Sequence, residues 1–200
     1  MNYIQENIIH EMEIKKSKFI TYLFFVDSEE EAKEHLVNIK KQHPKANHHC
    51  SAMVIDEIVR SNDDGEPAST AGLPMLQTLQ GEGMNHILAI VVRYFGGIKL
   101  GKGGLIRAYG HSVSEALKQT EYYVEELISI YKIITPFDQM NIIETKSKPK
   151  AKIMDRQYDQ LATFTLEVYD TSILEELVEL SSGKIDISHQ EDIKRLIKKH

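Results

Sequence analysis

The sequence predicts an α+β protein built as two domains, residues 1–123 and 124–200. Three observations carry that expectation. Apolar runs rich in β-branched and aromatic residues, such as KFITYLFFV from Lys18 and ILAIVVRYF from Ile87, alternate with segments whose apolar residues recur at helical spacing. Beyond Tyr123 the pattern turns into a compact βαββαβ order of short elements. A chain of 200 residues, 42% apolar and 27% charged, has ordinary globular composition with room for two small cores.

In the first domain, Phe19 to Val26 reads as a strand covered on both faces, ended by Asp27 and Ser28. Ser28 with Glu31 forms a capping box, and Ala32, Leu36 and Ile39 line one face of the helix that follows and stops before Pro44. Ser51 to Val59 is a second strand, and Arg60 to Pro67 is dense in loop-forming residues. Ser69 or Thr70 is the expected cap of a helix running to about Leu79. Ile87 to Phe95 makes a third strand. Six glycines then fall between Gly96 and Gly110, and Leu105, Tyr109, Val113 and Ala116 recur at helical spacing, which gives strand, glycine loop, helix.

In the second domain, Val124 to Ile134 is a strand. Thr135-Pro136 places a hydroxyl and a proline at a helix start, and Phe137, Met140 and Ile143 form the stripe to be buried. Ile153 to Tyr158 and Leu161 to Tyr169 flank Asp159-Gln160 as a hairpin, with Ala162, Phe164, Leu166 and Val168 alternating against Thr163, Thr165 and Glu167. Ser172 and Glu175 repeat the capping box; Leu174, Leu177 and Val178 should face inward; Gly183 closes the helix, and Ile185 to Ile187 supply a last strand before a charged IKRLIKKH end. Two βαβ halves of this kind make a ferredoxin-like sandwich.

A net charge of −6 excludes a protein that coats nucleic acid with its whole surface, so any anion site must be local. The single cysteine, Cys50, excludes an intramolecular disulfide. The opening residues lack the apolar core of an export signal, and no apolar stretch approaches the roughly 20 residues of a membrane span. A cytoplasmic protein without membrane contact is expected.

The local anion site suggests itself between Gly83 and Ser114, a stretch without a single Asp or Glu in a chain that has 30. Arg93, Lys99, Lys102 and Arg107 lie inside it. Gly96, Gly97, Gly101, Gly103 and Gly104 would let backbone N–H groups turn inward, and the helix start adds its positive dipole end. Phosphate suits such a loop. The plainer reading is a tight strand-to-helix turn with solvated bases beside it. The run from Gly96 through Gly101-Lys102 also fits seven positions of a P-loop, but Gly103 stands where a metal-binding hydroxyl is needed.

Asp63, Asp64 and Glu66 could attract a hard cation such as magnesium, pair with the basic loop, or form a solvated turn capping the next helix; no other cofactor is expected. His48, His49 and Cys50 offer a zinc site or an activated thiol on paper. Adjacent histidines on an extended segment point to opposite sides, however, so packing and hydrogen bonding are the expected roles.

HHCSA from His48, DDGEPASTAGLP from Asp63 and VVRYFGGIKLGKGGLIRAY from Val91, in that order, resemble the signature of the YigZ/IMPACT family. His49 replaces the Asn common there and Ser69 a common Gly. The resemblance implies a first domain with the ribosomal-protein-type βα sandwich also found in domain IV of elongation factor G. It implies a smaller ferredoxin-like second domain similar to a translation-factor domain. It also implies a setting in translation, where eukaryotic relatives restrain an amino-acid-starvation kinase through protein partners. No catalytic residue carries over. The leading expectation is therefore a non-enzymatic RNA- or ribosome-binding protein without DNA specificity, its phosphate contacts made by the glycine-rich loop. The alternatives are an enzyme acting on a nucleotide or phosphorylated small molecule, and a regulator that engages only proteins.

Overall fold

The computed structural model describes residues 1–199. It is a mixed α/β protein, with two antiparallel sheets and five α-helices among the described residues. Two compact units are distinguished: Met1–Val124 together with the chain from Leu196, and Glu125–Arg195.

The first unit contains strands β1 (Ile8–Ile14), β2 (Ser17–Phe25), β3 (His48–Ile55), β4 (Ile58–Asn62) and β5 (Ile87–Tyr94), in the order β1-β2-β5-β3-β4. Every neighbouring pair is antiparallel. Strand alternation divides the side chains between two cores. Phe19, Leu23, Ala52, Ala89 and Val91 pack beneath α2 (Gly72–Gly81) and α3 (Lys102–Leu117). Ile20, Tyr22, Phe24, Ile90 and Val92 pack with Ala32 and Ile39 of α1 (Glu29–Gln42). Because both faces are covered, β2 and β5 read as unbroken apolar runs.

Two edge strands depart from the sequence expectation. β1 (IIHEMEI) is only half buried on alternate residues, and β4 is exposed throughout, so neither shows the apolar run that marks the central strands. The stretch expected as one strand from Ser51 to Val59 reverses at Asp56, whose φ is +50° and whose N–H donates to Asn85 Oδ1 at 2.7 Å.

The first helix is capped as expected: Ser28 Oγ accepts from the Glu31 amide at 3.2 Å, while Glu31 Oε2 accepts from the Asp27 amide at 2.8 Å. The second is not capped by Ser69 or Thr70. Asp63 does this work from upstream, taking the amides of Ala71 and Gly72 on Oδ1 at 3.0 and 2.8 Å and that of Ser69 on Oδ2 at 2.7 Å.

The second sheet runs β7 (Ala151–Tyr158), β8 (Ala162–Val168), β6 (Tyr123–Thr135), β9 (Asp186–Lys198), the ferredoxin-like order. With α4 (Met140–Lys146) and α5 (Ser172–Leu180) it encloses Ile133, Ile143, Phe164, Leu166, Ile173 and Leu177. Phe137 and Val178 are 51% and 40% exposed rather than inward, and Ile173 takes the buried place on α5. The first amide of α5 is held by Asp170 Oδ1 at 2.9 Å, not by a capping box at Ser172. The charged C-terminal end is strand as far as Lys198; its apolar residues, sparse and only half-buried among exposed charges, gave no strand signal. No helix among the described residues is long and apolar enough to cross a membrane.

Candidate functional site

Strand parity decides what becomes of Arg93. It continues the row Ile87, Ala89, Val91 that faces α2 and α3, in register with Phe19 on one side and His48 on the other. The guanidinium is therefore delivered beneath the helices. Arg93 Nη1 donates to Glu66 Oε1 at 2.6 Å, with both side chains buried, and Nη2 lies 3.4 Å from Ser17 Oγ. The guanidinium carbon sits 5.5 Å from the Phe19 ring centroid and 5.6 Å from that of Phe95, within cation–π range. Nε has no partner.

Glu66 Oε1 also accepts from the Tyr109 hydroxyl at 2.8 Å. Burial, followed by the proximity of Cys50 and Glu66, raises the Tyr109 phenol above its ordinary range, so it remains a donor. Cys50 Sγ donates to the Asp63 carbonyl at 3.0 Å and lies 3.3 Å from the Tyr109 oxygen. Burial pushes its thiol up to about 12, the direction opposite to that of an activated nucleophile. His48 Nδ1 lies 2.9 Å from the Asp64 carbonyl, an acceptor only, so this nitrogen carries a proton; Nε2 lies 3.7 Å from Glu66. His49 faces the other way, its Nε2 donating to the His43 carbonyl at 3.1 Å.

The three acids behind the magnesium expectation all have partners within the protein. Asp63 is occupied by three amides and Glu66 by Arg93 and Tyr109. Asp64 accepts from Lys40 Nζ at 2.8 Å and the His49 amide at 2.7 Å. Burial acts to raise the Asp64 carboxyl, but these donors outweigh it and hold the group below its ordinary value. Among the described residues, no group of three His, Cys, Asp or Glu side chains could hold a metal ion.

Above this buried layer lies a cavity of about 430 Å³, lined by His48, Glu66 and Arg93 and, from the loop and helix start, by Phe95, Lys99 and Lys102. Lys99 and Lys102 are exposed and, among the described residues, have no carboxylate partner. Helix α3 begins here: Gly101, at φ +74°, is its N-cap, no side chain caps it, and its first turn holds no acid. Its amides and dipole thus add positive character beside the two ammonium groups.

The glycines serve different ends. A Cβ on Gly96 would lie 1.8 Å from the Lys16 carbonyl oxygen, so this position is needed for close backbone approach. Its amide is used within the fold, on Ser17 Oγ at 3.2 Å, and that of Phe95 on Asn47 Oδ1 at 2.8 Å. Gly97 is exposed, while Gly103 and Gly104 lie in the first turn of α3. Arg107 does not join Lys99 and Lys102: it lines a neighbouring cavity with Lys15 and His111. Sequence reasoning overlooked Ser17, Asn47, Phe95 and Tyr109 as parts of this region. Only Tyr109 had a visible signal, a hydroxyl within an otherwise apolar helical stripe.

Residues 15–117 match the family model of the Impact N-terminal domain. The IMPACT family member YvyE of Bacillus subtilis (strain 168) is 41% identical over 189 residues, covering 91% of this chain and 87% of that protein. The IMPACT family member YigZ of Escherichia coli (strain K12) is 37% identical over 184 residues, covering 88% of this chain and 90% of its own. A crystal structure described as that of a hypothetical protein is 35% identical, covers 95% of this chain and 97% of its own, and superposes with a TM-score of 0.60.

Proposed function

The chain belongs to the IMPACT family, and from that premise we propose that it binds RNA or the ribosome and acts in the regulation of translation, contacting phosphates at the start of α3. The observation that carries this reading is the pairing of Lys99 and Lys102, both exposed and without a carboxylate partner, with an uncapped helix N-terminus at one cavity mouth. Three sources of positive potential there have no counter-charge of their own, and a phosphate ester supplies one. The translation setting is the one that the family resemblance implies.

Charge reversal at both lysines tests the assignment. The double variant Lys99→Glu, Lys102→Glu should bind fluorescently labelled RNA about tenfold or more weakly. Its plot of log affinity against log salt should be shallower by about 1.4, since each single-strand phosphate contact contributes about 0.7. Unchanged affinity and slope would remove the loop from the interface. The cavity, at about 430 Å³, is also of small-molecule size, which favours a second reading as a nucleotide-directed enzyme. Strong thermal stabilisation by a nucleotide with magnesium, and none by RNA, would select it.

A further inference from the structure

We propose that the RNA is held single-stranded, with two successive bases inserted into two neighbouring cavities that share Leu100 as their dividing wall; this rests on the RNA-binding reading above and specifies its ligand. The first cavity is the one beneath Lys99 and Lys102. The second, of about 510 Å³, is lined by Ile14, Leu100, Gly104 and Ala108, with Lys15, Arg107 and His111 around them. Leu100 belongs to both linings.

The distribution of charge assigns parts of a nucleotide to parts of each cavity. Among the described residues lining the first cavity below its rim, the full charges are the buried Arg93 and Glu66, which pair at 2.6 Å, so a phosphate gains little by entering deeply. Its favourable place is the rim. The interior instead offers the ring of Phe95, a residue 46% exposed, with Arg93, Glu66 and His48 as polar groups beside it. A nucleobase has the matching form: a flat π face to stack and a polar edge to hydrogen-bond.

The second cavity repeats the arrangement with aliphatic walls. Lys15, at the β1–β2 turn, and Arg107 are exposed and, among the described residues, have no carboxylate partner, whereas His111 lies 3.6 Å from Glu115. Each cavity thus has two unpaired cations at its edge and a weakly charged interior. One side chain separates them. A polyanion carrying one base per charge fills both without a detour, while a duplex, whose bases are already stacked and paired, can fill neither.

Fluorescence anisotropy on the full chain tests this with a labelled eight-nucleotide RNA, either single-stranded or annealed to its complement. The single strand should bind at least tenfold tighter than the duplex. Phe95→Ala should weaken it on the order of 5- to 100-fold, the range for losing one stacked base. Arg107→Glu should weaken it about tenfold, and Lys15→Glu serves as an independent variant of the same cavity. Thermal midpoints check that each variant is folded. If the Lys99→Glu, Lys102→Glu variant loses binding while both second-cavity variants retain it, RNA binding stands and the two-cavity inference falls. Equal affinity for duplex and single strand also overturns it. If no variant alters binding, the contacts lie elsewhere and the site at the start of α3 falls with the two cavities; if the unaltered chain binds neither RNA, the RNA-binding reading itself is lost.

Discussion

Arg93 and Lys102 come from the same acid-free stretch, yet the fold treats them oppositely. Arg93 is buried, bonded to Glu66 and flanked by two aromatic rings. Lys102 is exposed at the first position of α3, with no acid to meet it. Backbone geometry makes the difference. Alternation along β5 turns Arg93 toward the helices, and the loop after the strand frees the chain from that alternation, so later cations face solvent. A basic run in a sequence is therefore not one electrostatic object: its strand part can be consumed by packing while its loop part stays available.

The largest expected effect breaks the buried half of the comparison. Glu66→Ala leaves the Arg93 guanidinium in the core without its counter-charge, with Nε already lacking a partner. Removing one member of a buried pair costs about 3–5 kcal/mol, which urea denaturation would read directly. The double variant Glu66→Gln, Arg93→Met should lose less, because no isolated charge is left behind. A loss below about 1 kcal/mol for Glu66→Ala would mean that Arg93 finds solvent, and its contrast with Lys102 would vanish.

A smaller effect sharpens the comparison from the acidic side. Asp63→Ala frees the amides of Ser69, Ala71 and Gly72 at the start of α2 and should cost about 1–2 kcal/mol, the range for a lost helix cap. Asp63→Asn keeps one acceptor oxygen and should cost less. Added magnesium should not raise the thermal midpoint of the unaltered chain through this group, since all three of its contacts are already made within the protein.

The central strands and most helices were legible because burial on both sheet faces, or on one helix face, writes a periodic signal into the sequence. β1, β4 and the long end of β9 escaped because edge and exposed strands carry little of that signal. Within the candidate region, composition alone marked Lys99 and Lys102. It could not separate Arg93 and Arg107 from them, because that separation depends on strand parity and on one further turn of α3. For the acids, capping of the next helix and pairing with the basic loop were both among the expected roles, and Asp63 and Glu66 take them; composition could not say which acid takes which. Asp63 reaches the start of α2 across a loop, and Glu66 meets Arg93 across the sheet, distances in sequence at which no local motif speaks.

The smallest effect is the most discriminating, because its sign differs from the others. A cation in the first turn of a helix opposes the helix dipole, and nothing near Lys102 compensates it. Lys102→Glu should therefore leave the fold intact and make the free protein slightly more stable, by about 0.3–1 kcal/mol at low salt, an increment that fades as salt is added. The same substitution should weaken RNA binding. A side chain that improves the fold when reversed and impairs binding when reversed is held for a ligand rather than for the structure. If Lys102→Glu instead lowers the denaturation midpoint, Lys102 is a structural residue like Arg93, and the division between a buried and an available half of the basic stretch collapses.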